Sequence, residues 1–189
     1  MILLTEHIND FDLETAQKQV SEQRRKYALR YKNERDRRLC IKAYLLLCEG
    51  LQKEYGITDK PHFHFGKFGK PVLADFPHIH FNLSHCNDAV ICVLGNSPMG
   101  VDIESVIPFD EELALQTMNE EEMRQITLSQ CPDIEFMRYW TQKEAVLKLW
   151  GYGIQNNMKN ILDNNVQSLT TFVSPNKKFV YSITEAFTI

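Results

Sequence analysis

Three short stretches combine residue types that do phosphate and metal chemistry. The first is Gly100-Val101-Asp102-Ile103-Glu104. Alternate residues of a strand share a face, so Asp102 and Glu104 point one way and Val101 and Ile103 the other. Two carboxylates on one face repel unless water or a cation separates them. Mg²⁺ is typically held by one or two carboxylates together with phosphate oxygens and water. The second stretch is Trp140-Thr141-Gln142-Lys143-Glu144-Ala145-Val146-Leu147-Lys148. At 100° per residue, Phe136, Trp140, Leu147 and Trp150 form an apolar stripe. Lys143 falls inside that stripe, so its ammonium must find a ligand or the rim. Glu144 and Lys148 lie four apart on the flank, which on an ordinary surface helix would be a weak ion pair. The third is Phe81-Asn82-Leu83-Ser84-His85, preceded by the glycine-flanked lysines of Gly66–Pro71. Ser84 and His85 are neighbours and face apart on a strand, which excludes a Ser–His nucleophilic pair and suits ligand contacts. Lys70, in a turn-like Gly-Lys-Pro, can meet a phosphate as a point charge.

These pieces need elements to hold them. A short strand is predicted at Ile2–Thr5. Helix follows over Asp12–Tyr31, restarting at Ser21 as an N-cap. A long helix over Asn33–Tyr55 carries the apolar face Leu39, Ala43, Leu46, Leu47 and Leu51. Strands are predicted at His62–Phe65, Ile79–Ser84 and Ala89–Leu94, between Gly, Pro and Asn-Asp punctuation. After the turn Asn96–Gly100 come a strand over Val101–Val106, then helices near Phe109–Met118, Asn119–Ser129 and Asp133–Trp150. Strands over Val166–Val173 and Lys178–Thr184 close the chain. The class is α+β, in two comparable halves, 1–99 and 100–189, without a linker long enough to separate them.

Composition narrows the setting. The 189 residues are 43% hydrophobic and 24% charged, which excludes wholesale disorder. The absence of a long apolar run or a secretory pattern predicts a soluble, cytoplasmic protein, without a membrane partner. The 5 cysteines lack CxxC spacing and read mostly as small buried hydrophobes. His62/His64 and His78/His80 could each share a strand face, but without cysteine partners they read as surface histidines rather than a metal site. The net charge is −4, yet Arg24 to Arg38 holds eight basic residues against Glu34 and Asp36. A basic segment on an acidic chain suits a polyanionic ligand met at one place, or a solvated helix face.

The three stretches together resemble the 4′-phosphopantetheinyl transferases, of the longer surfactin-synthetase-activator kind. Gly66–Pro71, Phe81–His85, Gly100–Glu104 and Trp140–Lys148 stand in that family's order and spacing, over roughly residues 20 to 153. The resemblance implies a pseudo-twofold fold with the active site in the cleft between halves. It implies coenzyme A as co-substrate, Mg²⁺ as cofactor and an apo acyl or peptidyl carrier protein as partner. Nucleic acid has no part, and the chain is expected to be a monomer. Carried over by position, Asp102, Glu104 and Glu144 would ligate the metal, and Glu144 could take the serine proton. Lys148 would face the pyrophosphate and Lys143 the phosphates. Ser84, His85, Lys70 and Arg38 would meet the nucleotide, and Glu122 would lie near the cleft. Tyr152 stands where relatives often carry lysine. An inactive relative that binds carrier or coenzyme A without transfer is the alternative.

Overall fold

A computed structural model describes residues 1–152, 158–163 and 168–186. Helices start where side chains can satisfy free backbone N–H groups. Asp12 caps α1 (Leu13–Gln19), Ser21 caps α2 (Glu22–Ala28) and Asn33 caps α3 (Glu34–Tyr55). Leu39, Ala43, Leu46, Leu47 and Leu51 are all buried, as their spacing predicted. Strand β1 (Ile2–Thr5), β4 (His80–His85) and β5 (Val90–Gly95) form one antiparallel sheet in the order β1-β5-β4. A hairpin of β2 (Phe63–Phe65) and β3 (Pro71–Leu73) stands beside it. Strand β3 has no counterpart among the strands expected from sequence; its three residues pair with β2.

The rest of the chain supplies β6 (Met99–Ser105), α4 (Glu111–Thr117), α5 (Glu120–Leu128) and α6 (Pro132–Trp150). A 3-10 turn at Met158–Asn160, β7 (Leu169–Val173) and β8 (Phe179–Glu185) follow. The second sheet has the order β6-β8-β7. Of the predicted strand over Val166–Val173, positions 166 and 167 lie outside the described residues, as does Gly153.

All strand pairs are antiparallel and the helices pack on the sheets, so the chain is α+β. Three apolar clusters decide how the parts sit. The long helix α3 and β4–β5 share one around Ile41, Tyr44, Leu47 and Leu94. A second joins the sheets, with Ala89, Ile91 and Val93 of the first against Val101, Ile103 and Phe179 of the second. A third buries Phe136 and Met137 of α6 with Ile126 of α5 and Val180 of β8. Trp150 departs from its predicted place in the α6 stripe. It is 41% exposed, because the core ends a turn earlier at Leu147, and its ring lies tilted beside that of Tyr152, 6.0 Å between centroids.

Side chains take over where the sheets meet. Strands β4 and β6 run side by side without a backbone ladder, and the buried Asn82 Oδ1 accepts the Val101 N–H at 2.8 Å. The Ser84 hydroxyl oxygen accepts the Ile103 N–H at 3.4 Å. Asn82 and Ser84 thus set β6 against β4.

Candidate active site

Strand β6 turns Asp102 and Glu104 toward α6, from which Trp140, Glu144 and Lys148 project on successive turns. Helix and strand can approach this closely only because residue 100 is glycine. A Cβ there would lie 2.0 Å from the Ala145 carbonyl oxygen and 2.6 Å from the Leu149 nitrogen. Ser84 and His85, at the end of β4, complete a cavity of about 290 Å³ lined also by Leu83. Six predicted residues, Ser84, His85, Asp102, Glu104, Glu144 and Lys148, are therefore brought together.

Three carboxylates share this cavity with one ammonium. Lys148 Nζ lies 2.5 Å from Asp102 Oδ1 and 2.9 Å from Ser84 Oγ, and the Ser84 hydroxyl donates to the same Asp102 oxygen at 2.9 Å. The other oxygen, Asp102 Oδ2, is buried without a hydrogen-bond partner, and so is Glu144 Oε1. Such atoms cost roughly 1–3 kcal/mol or more when nothing satisfies them. Burial first, and then the Asp102 charge, push Glu104 up to about 7 and Glu144 upward as well. Burial, and then the nearby Lys148, push His85 down, so its imidazole is neutral near pH 7.

The donor set suits a hard divalent cation, with two orphaned carboxylate oxygens and three crowded carboxylates. Among the described residues, no three His, Cys, Asp or Glu side chains already converge as an ion-holding group, and Lys148 lies against Asp102. The histidine pairs do not form such a group either; His62 stands beside Asp75 at 4.0 Å.

Two further cavities share lining residues with this one. About 180 Å³ lies toward α2 and the β2–β3 hairpin, between Arg24, Tyr27, Tyr31, Phe63, Phe65 and the backbone around Gly69. The Arg24 guanidinium sits 5.4 Å from the Tyr44 and Phe63 ring centroids and 5.5 Å from that of Tyr27. The other, about 350 Å³, is walled by Leu39, Ile107, Leu113, Phe136, Met137 and Trp140, and is mostly apolar. His85 lines all three cavities. Arg24, Tyr27 and Tyr31 were not singled out from sequence, although the basic segment that starts at Arg24 was the signal.

Four of the predicted residues are placed elsewhere. Lys143 is fully buried, and its ammonium bonds Glu122 Oε2 at 2.7 Å and the carbonyls of Met158 and Thr117 at 2.8 and 3.0 Å. It therefore lies inside the second half and lines none of these cavities, because an ammonium within an apolar stripe needs internal acceptors. Glu122 is its buried partner and closes a capping box with Asn119, so it does not face the cleft. Arg38 is occupied by Glu34 and the Phe11 carbonyl, at 2.9 and 2.8 Å. Lys70 turns its ammonium to the carbonyls of Leu149 and Met99, at 2.9 and 3.1 Å.

Residues 98–185 match the family described as the 4′-phosphopantetheinyl transferase superfamily. The chain is 30% identical over 169 residues to the 4′-phosphopantetheinyl transferase gsp of Aneurinibacillus migulanus, covering 88% of this chain and 70% of that protein. It is 29% identical to the 4′-phosphopantetheinyl transferase Sfp of Bacillus subtilis, over 71% of this chain and 62% of that one. With psf-1 of Bacillus pumilus it shares 37% identity over 49% of this chain and 40% of that protein.

Proposed function

The chain belongs to the 4′-phosphopantetheinyl transferase superfamily and is a transferase of the Sfp kind, and on that footing we propose the reaction and its site. Coenzyme A gives its 4′-phosphopantetheine group to a serine of an apo acyl or peptidyl carrier protein. The serine oxygen bonds to the β-phosphorus, the pyrophosphate bridge breaks, and 3′,5′-ADP leaves. The convergence of Asp102, Glu104, Glu144 and Lys148, with two carboxylate oxygens unpartnered, is the observation that carries this reading.

Asp102, Glu104 and Glu144 are the residues that would hold Mg²⁺, which when bound offsets charge developing on the pyrophosphate. Lys148 supplies positive charge toward the same group. Its ammonium is held by one carboxylate and one hydroxyl, so a phosphate oxygen can compete for it. Glu144 is raised by burial and so suits taking the serine hydroxyl proton at its carboxylate. Positioning and electrostatics do most of the work in phosphoryl chemistry, so these few groups suffice. The neutral His85 N–H can donate to a phosphate where the cavities meet. The Arg24 cavity then takes the nucleotide, and the apolar cavity takes the pantetheine arm or the carrier's approach.

The strand orders β1-β5-β4 and β6-β8-β7 support a pseudo-twofold relation between residues 1–99 and 100–189. In each, the first strand of the half flanks the last. A cytoplasmic monomer is the state this reading expects, since one chain carries both halves. No helix among the described residues is long and apolar enough to cross a membrane.

Calorimetric titration tests the nucleotide assignment. Coenzyme A is expected to bind more tightly than dephospho-coenzyme A, since each charge-assisted contact contributes on the order of 1.5–3 kcal/mol. In His85→Ala that difference shrinks. Equal discrimination in both proteins would remove His85 from the phosphate site.

A further inference from the structure

We propose that Lys70 is a positioning residue: its ammonium ties the wall of the Arg24 cavity to the end of α6 and the start of β6, and so sets Lys148 against Asp102. This rests on the transferase reading above. The side chain leaves the loop between β2 and β3, whose Gly69 lines the Arg24 cavity together with Pro71, the first residue of β3. It donates to Leu149 O in the other half at 2.9 Å and to Met99 O, where the two halves join, at 3.1 Å. Leu149 follows Lys148 directly, and Met99 opens the strand that carries Asp102 and Glu104.

The contact answers a need of the helix. The last four carbonyls of an α-helix lack intrahelical partners, and cations are favoured at that end. Gly151, at φ 71°, caps the carbonyls of Leu147 and Lys148, which leaves Leu149 to Lys70. The positive φ at Gly151 is what favours glycine there; a Cβ at 151 would lie 3.3 Å from Lys70 Cδ, so the lysine stem packs closely against the helix end. A second contact joins the same two segments: the Phe68 and Tyr152 rings meet edge-on, 5.6 Å between centroids. Burial pushes Lys70 down to about 8, as for an ammonium drawn out of water. The group most needed at the pyrophosphate, Lys148, thus stands one residue from a cross-half tie whose other end is the cavity wall.

A double-mutant cycle decides between positioning and direct contact. Lys70→Met is expected to lower kcat by about tenfold or more, with less than about a threefold change in the coenzyme A Kd. In a Lys148→Met background the same change is expected to move kcat by less than about twofold, because the residue it positions is already gone. Tyr152→Ser, a milder cut in the same tie, is expected to show the same pattern at smaller size. Hydrogen exchange gives a readout independent of turnover: amides of 66–70 and 148–152 should speed up together in Lys70→Met. A large loss of coenzyme A affinity with kcat retained would make Lys70 a phosphate ligand and overturn the proposal. So would equal kcat losses in both backgrounds, or unchanged exchange at 148–152. If the wild-type chain transfers nothing, the transferase reading fails, and the exchange experiment still decides whether the tie exists.

Discussion

Asp102 is 2% exposed yet keeps one oxygen without a partner, and Glu104 and Glu144 are both pushed toward protonation by burial. A fold selected for stability alone would not place three carboxylates this way. Asp102→Ala is expected to abolish transfer and to remove the Mg²⁺-dependent rise in melting temperature, while the strand and its apolar neighbours Val101 and Ile103 keep the fold. Retained activity, or an unchanged Mg²⁺ response, would dismiss Asp102 as a ligand. Glu104 has a pH signature in the metal-free protein. Its carboxyl moves from 4.5 up to about 7 on folding, so between those values the native state holds more protons than the unfolded one. Stability then falls as pH rises through that window, and the penalty is complete above 7. In EDTA, Glu104→Gln is expected to be more stable than wild type above pH 7 and to lose that advantage below 4.5, as urea melts would show. An advantage independent of pH would assign the effect to packing.

At the scale of elements, α6 does two jobs on opposite flanks. One flank carries Glu144 and Lys148 to the cleft, and the other sinks Lys143 onto Glu122. Removing one partner of a buried pair leaves an uncompensated charge and costs about 3–5 kcal/mol. Lys143→Met should therefore lower stability by that order, and adding Glu122→Leu should recover most of it. A Lys143→Met variant of unchanged stability that loses coenzyme A affinity would instead return Lys143 to the phosphates. Gly100→Ala is expected to reach at least the upper end of the roughly 1–3 kcal/mol seen for overpacking. The obstruction is the α6 backbone itself, which cannot rotate away. Thermal melts check both.

Periodicity explains why part of this site was legible in sequence. Asp102 and Glu104 share a strand face, and Glu144 and Lys148 share a helix flank, by local geometry alone. The destinations of Lys70, Arg38 and Lys143 depend on which carbonyls and carboxylates tertiary packing brings near. Their acceptors lie 79, 27 and 21 positions away in the chain, at Leu149, Phe11 and Glu122. Short β3 and the exposed Trp150 escaped for the same reason, since pairing and the end of the core are tertiary facts.

Across the whole molecule, two three-stranded sheets share an apolar seam, and the polar groups of Asn82 and Ser84 take the place of a backbone ladder beside it. The carboxylates, Lys148 and His85 stand where β4, β6 and α6 meet, so the site depends on both parts of the chain. Group transfer is proposed to take place at that junction. The most direct measurement incubates the protein with an apo carrier protein, coenzyme A and Mg²⁺, and reads the carrier by intact mass. The expected result is a carrier heavier by one phosphopantetheine on its serine, with 3′,5′-ADP released in equal amount and neither product formed in EDTA. An unmodified carrier, under conditions where coenzyme A binding is demonstrated, would contradict the account and leave a protein that binds without transferring.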